Sequence, residues 1–127
     1  MSRSYSKVLG VLALCGLGVS CRANHLPEVT AGPRPMPQVV RAGDEVRFMF
    51  EVADPDGDSM TFAWVQVPAE PAGRFSDVGV QNPTWVAPEV SETMDFSIMV
   101  TVFDSEGGGI RATGPSVIVQ APSPQSP

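Results

Sequence analysis

The sequence is poor in the groups that carry out chemistry. It has two cysteines, one histidine and a single lysine in 127 residues. Cys15 and Lys7 fall in the first twenty positions, and the only histidine, His25, follows closely. The remaining chain therefore lacks the parts of a Ser-His-Asp constellation or of a histidine/cysteine zinc site. No G-x-S-x-G nucleophile elbow occurs either. A carboxylate pair for glycoside hydrolysis is available by count, but it needs a cleft that so small a domain rarely supplies. The expectation is a non-catalytic protein. Disulfides are excluded from the folded part, so an apolar core must hold it, which about 95 ordered residues make feasible. Positive charge is scarce as well. From Arg22 onward six arginines face fourteen carboxylates, a balance of −8. Nucleic acid and anionic membrane surfaces are thus poor electrostatic partners, whereas divalent cations fit. A solvated acidic surface that keeps the protein soluble accounts for the same balance.

A long hydrophobic run is missing too. Val8–Leu17 is apolar but too short to span a bilayer, and it follows the positive residues Arg3 and Lys7. With the small residues Gly18, Val19 and Ser20 just before Cys21, residues 1–20 resemble a bacterial lipoprotein signal peptide, and Cys21 becomes the lipidated residue. The leucine usual three positions before that cysteine stands one step further back, at Leu17. An ordinary secretory signal, with Cys21 an incidental thiol, is the alternative. Lipidation would bury acyl chains at about 0.8 kcal/mol per CH2 and anchor the protein to the membrane of the bacterial cell envelope. Residues 21–26 would form the lipidated tether, with His25 solvated in it.

What the sequence does have is turn residues and period-two alternation. Thirteen prolines and twelve glycines suit many short strands joined by tight turns. Val46, Phe48, Phe50 and Val52 alternate with Arg47, Met49 and Glu51, and Met60, Phe62 and Trp64 alternate with Thr61, Ala63 and Val65. Between them Asp54-Pro55-Asp56-Gly57-Asp58 is turn chemistry, and the whole reads as a central hairpin with Trp64 as its core anchor. Phe96, Ile98, Val100 and Val102 mark a second strong strand over 95–104. Weaker strands are expected at 27–31, 38–41, within 74–80, at 84–88 and over 110–119, with a helical turn allowed at 89–93 and a disordered tail over 121–127. The sum is an all-β, Ig-like, two-sheet antiparallel sandwich of about seven strands over residues 27–120, with a closed barrel as the competing architecture.

The segments Val29-Thr30-Ala31-Gly32, Ala42-Gly43-Asp44-Glu45-Val46, Asp54–Asp58 with Trp64, Asn82–Pro88 and Phe96–Gly107 occur in the order and spacing of a known module. Together they resemble the bacterial PKD (polycystic kidney disease) domains; cadherin-like and fibronectin type III modules share several of these signals. The chain departs from the pattern after Trp64, where Val65-Gln66-Val67 replaces the common W-x-F-G-D-G. The resemblance implies an extracellular binding or spacer module without catalysis.

Asp54, Asp56 and Asp58 have the alternating spacing of the first three calcium ligands of an EF-hand loop, but Ser59 and Val65 occupy the positions where that loop needs Gly and Glu. A sandwich could complete the site with Asp104, or Glu106, if the two turns share one end. Simple turn capping is the alternative role for these aspartates. Trp85 and Phe103 are either core aromatics or exposed platforms for a sugar or protein partner. The functional expectation is a cell-envelope lipoprotein carrying one binding or adhesion module for an unidentified protein or carbohydrate; the alternative is a passive spacer or an accessory subunit of an envelope complex.

Overall fold

The computed structural model describes residues 24–124; residues 1–20, expected to be a signal peptide, both cysteines and the last three residues lie outside that range. Among the described residues nine strands follow one another: β1 (Glu28–Met36), β2 (Val39–Arg41), β3 (Glu45–Ala53), β4 (Met60–Val67), β5 (Arg74–Phe75), β6 (Thr84–Val86), β7 (Met94–Asp104), β8 (Gly109–Thr113) and β9 (Val117–Gln120). They form two sheets, one ordered β1-β3-β6-β5 and the other β2-β9-β7-β4 with β8 also beside β7. All pairs are antiparallel except β2 with β9. The two-sheet sandwich expected from the sequence is present, and the barrel is not. Among the described residues there is no helix, so 89–93 is an irregular connection.

The alternation in sequence becomes the core directly. Val46, Phe48 and Phe50 from β3 face Phe96, Ile98, Val100 and Val102 from β7, and all are buried. Trp64 packs against Phe48 and Phe50 at ring separations of 5.5 and 5.8 Å, and its indole Nε1–H donates to Val80 O at 2.7 Å. A buried tryptophan contributes a large apolar area only if that N–H is satisfied, and the loop before β6 satisfies it.

The central hairpin does not exist. β3 and β4 belong to different sheets: β3 pairs with β1 and β6, and β4 pairs with β7. Periodicity shows which face of a strand is buried, not which strand is its neighbour. Here both strands turn their apolar faces inward from opposite layers, and the acidic turn carries the chain across the edge of the sandwich. The expected final strand is also divided. Met99 pairs with Thr113 but Phe96 with Val117, so the register slips by one residue between β8 and β9. The slip falls between Thr113 and Val117, a stretch that begins with Gly114, where a side chain would overlap the carbonyl of Pro33. A bulge and a bare glycine together let β1 lie against the edge of the second sheet.

Gln66 links the layers. Its Nε2 donates to Pro68 O and Pro71 O, each at 2.9 Å, while its Oε1 accepts Gly73 N–H at 2.8 Å and the Trp85 indole N–H at 3.0 Å. Gly73 has no side chain because one would meet the Trp85 ring at 2.5 Å.

Candidate functional site

Met60 at the start of β4 pairs with Asp104 at the end of β7. That register places the turn before β4 and the turn after β7 at one corner of the sandwich. Five carboxylates gather there, on Asp54, Asp56, Asp58, Asp104 and Glu106.

The turn over 54–58 is built from its own residues. Asp54 Oδ1 accepts the Asp56 N–H at 2.8 Å, Asp54 O accepts the Gly57 N–H at 3.0 Å, and Gly57 takes a positive φ of 73°. A side chain would be strained in that region, which is why glycine stands there. With the turn closed in this way, one carboxylate oxygen each of Asp54, Asp56 and Asp58 lies within 4.8 Å of the others. Asp54 Oδ2 and Asp58 Oδ2 are shut off from solvent and have no hydrogen-bond partner. Burial raises the Asp58 carboxyl above its ordinary value, and the charges of Asp54, Glu106, Asp56 and Asp104 push it the same way.

Asp104 stands beside this trio with both oxygens engaged. Its Oδ1 accepts the N–H groups of Glu106 and Gly108 at 2.9 and 2.7 Å, and its Oδ2 accepts the Asn24 side-chain amide at 2.8 Å. The Asn24 bond, with the Gly108 and Glu106 amides, holds the Asp104 carboxyl below its ordinary value although burial opposes them. Asp104 thus closes the β7–β8 turn and receives the chain entering the domain.

That entering chain corrects the expectation of a solvated tether. The ring of His25 is largely exposed, with 64% of the side chain accessible, yet it is not free. Its backbone N–H donates to Asp56 Oδ2 at 2.7 Å, and its Nδ1 lies 3.0 Å from Asp56 Oδ1. Gly108 makes room for this arm: a Cβ there would sit 2.7 Å from Leu26 Cδ2 and 3.1 Å from Asn24 Nδ2. Nothing in the pattern of residues 24–26 announced the docking; the run of glycines after Glu106 was its only trace.

The ambiguous aromatics separate cleanly. Trp85 is fully buried against Phe96, whereas Phe103 is 46% exposed on the outer face of β7. A shallow cavity of about 550 Å³ opens where β3 outlasts β6, lined by Met36, Met49, Gln81 and Asn82 among others. The side chains of Gln81 and Asn82 donate there to Phe48 O and Phe50 O, standing in for the missing strand.

No protein-family model matches the chain, and no curated protein matches it in sequence. Solved structures do. A nucleoside hydrolase-related hypothetical protein from Saccharophagus degradans, associated with carbohydrate metabolism, superposes with a TM-score of 0.58 at 23% identity over 79% of this chain. The match takes in 26% of that protein, so the chain spans about a quarter of its length. The PKD domain of the KIAA 1837 protein superposes at 0.51 with 15% identity, over 87% of this chain and 99% of that one. The PKD1 domain of Vibrio anguillarum Epp aligns at 0.48 with 17% identity, over 79% of this chain and all of that one. The chain has a PKD-like, Ig-type sandwich fold.

Proposed function

We propose that the chain is an exported, non-catalytic binding or structural module whose acidic corner takes a calcium ion. The observation that carries this reading is the pair of shielded, unpartnered oxygens, Asp54 Oδ2 and Asp58 Oδ2. The large majority of buried polar atoms are satisfied in native proteins, and two shielded carboxylate oxygens in one turn call for a cation rather than for each other. The size agrees. Calcium–oxygen bonds of about 2.3–2.6 Å put opposite ligands about 4.6–5.2 Å apart, and three oxygens within 4.8 Å fit inside that sphere. Asp54, Asp56 and Asp58 would be ligands, and Asp104 and Glu106 would add negative charge nearby. Anchoring through a lipidated Cys21 in the bacterial cell envelope completes the proposal; a protein or carbohydrate ligand would meet the domain outside the membrane. Replacing Cys21 with Ser should move the protein out of the membrane fraction, and unchanged retention would refute the anchor.

The cation is tested by the thermal midpoint of the full chain in calcium and in chelator. Calcium at 100 times its Kd should add about 2.7 kcal/mol. Asp58→Asn should lose that gain. An equal midpoint in both conditions at millimolar calcium would refute the cation.

A further inference from the structure

The outer faces of the two sheets differ in charge. The first sheet turns Glu28, Glu45 and Glu51 outward with Arg34, Arg47 and Arg74, a mixed surface suited to water. The second sheet is nearly bare of charge. β4 exposes Thr61, Val65 and Val67, and β7 beside it adds Phe103 and the half-buried Met99. The 78–80 segment runs along the open edge of β4, where the Trp64 N–H donates to Val78 O at 3.1 Å, and it sets Val78 and Val80 beside the face. Val39 extends the face at its β2 end, level with Ile118. Six of the nine exposed large hydrophobic residues among the described residues thus lie on or beside one face of an acidic domain, the mark of an interaction surface. We propose that this face joins a second copy of the chain in a two-fold dimer, sheet against sheet. The proposal is independent of the cation and of the membrane anchor.

Charge selects a second copy as the occupant. β4, β7, β8 and β9 turn just two charged side chains outward, Arg111 on β8 and Asp95 on β7. Among the described residues neither has an ion-pair partner in its own chain. Arg111 pairs with Thr101, and Asp95 lies further down the same β7 strand, about 20 Å away. The point midway between the two charges falls between the pairs Val65–Met99 and Val67–Ser97. A two-fold axis crossing the strands there would set Arg111 of each copy over Asp95 of the other, with Val65 over Val67 at the centre. Such a face is self-complementary, as a two-fold interface must be. The strands of the two copies would run antiparallel, within the aligned geometry of packed sheets. Two chains that each carry −8 from Arg22 onward repel at most approaches. Here apolar contact and two opposite-charge pairs meet instead.

The size of the face sets the strength of the dimer. β7 from Asp95 to Phe103 is about 27 Å long, and three strands span about 15 Å, so each copy contributes on the order of 400 Å². A standard interface takes about 800 Å² from each side. The dimer is accordingly weak and reversible, forming at on the order of 100 μM.

The test is sedimentation velocity of the full chain, in chelator and at low salt, over a range of concentration spanning about 100 μM. The sedimentation coefficient should rise through that range. Val65→Asp places a charge at the centre of the contact on a half-exposed position, so the fold survives and the rise should vanish. Arg111→Asp and Asp95→Arg, each alone, set like charges opposite one another twice over by symmetry, and each should weaken self-association about tenfold. Mixed together, these two variants should associate with each other about as well as the unsubstituted chain does with itself, because opposite charges again face each other at both pairs. Association indifferent to Val65→Asp, or a mixture that stays apart, would overturn the dimer through this face. A chain monomeric at every concentration would overturn the second copy and leave the face to another occupant, such as a neutral glycan.

Discussion

Gln66 offers the sharpest test of how the two sheets are held together. Replacing it with Leu keeps the approximate volume and removes every polar contact. The damage concentrates on Trp85, whose ring is fully buried and whose indole N–H reaches Gln66 Oε1 at 3.0 Å. An orphaned buried donor costs about 1–3 kcal/mol, and the lost bonds to Gly73 N–H, Pro68 O and Pro71 O add about 1 kcal/mol or less each because that loop is partly solvated. The expected loss is about 3 kcal/mol, read as a shift in urea midpoint at constant m-value. For a domain of this size that lowers the melting temperature by about 10–20 °C. Gln66→Glu separates the two halves of the side chain. It keeps an acceptor for Trp85 and Gly73 and loses the donor to the proline carbonyls, so it should fall between Leu and the unsubstituted chain. A loss below 1 kcal/mol for Gln66→Leu would refute the argument, since Trp85 would then have another partner or the loop would not depend on Gln66.

Trp64→Ala should cost about 3–5 kcal/mol by chemical denaturation, whereas Phe103→Ala, on a half-exposed outer face, should cost less than about 0.5 kcal/mol. Gly108→Ala should unseat the arm, since its Cβ would meet Leu26, Asn24 and the Asp104 oxygen that holds Asn24, while leaving the core intact, seen as fast amide exchange at His25 and an unchanged near-ultraviolet spectrum. The corner should also give stability an unusual pH dependence in chelator. Asp104, held low chiefly by Asn24, stabilises the fold above the ordinary carboxylate range, and that contribution is lost as pH falls through its lowered value. Asp58, held high by burial and its neighbours, has the opposite sign: the fold gains as pH falls through the raised value toward 3.8, the ordinary one. Asp58→Asn should therefore raise the melting temperature at pH 7 without calcium, with the gain fading toward about pH 4, and should abolish stabilisation by calcium.

The sequence made the strands and their buried faces legible because alternation reports burial directly. Val46, Phe48 and Phe50 in β3, and Phe96, Ile98, Val100 and Val102 in β7, point inward as their spacing requires. Pairing was less legible, because a short polar connection serves equally well to close a hairpin or to cross between sheets. What decided between them is non-local: β3 already has β1 and β6 as neighbours, and β7 takes β4. The candidate aspartates were visible as spacing, and their convergence follows from the tight turn at Gly57. The arm was invisible for a different reason. Its contacts join residues 80 and 31 positions apart, through side chains of no particular pattern.

The turn-only alternative for the acidic corner can be weighed against other turns in the same molecule. Asp44 closes its turn alone, accepting the Arg41 N–H at 3.0 Å, and Asp77 does so through the Gly79 N–H at 2.8 Å. Asp104 needs no second acid to hold the turn before β8. One aspartate per turn is thus enough here. In the 54–58 turn Asp54 does the same capping through Asp56 N–H, yet Asp58 adds a carboxylate that caps no amide of that turn and leaves one oxygen shielded and unpaired. Its burial and the four neighbouring charges work against ionisation. Asn or Ser at position 58 would make the turn without that cost. The turn alone does not account for a charge kept there beside two others at calcium spacing, whereas the proposed cation would.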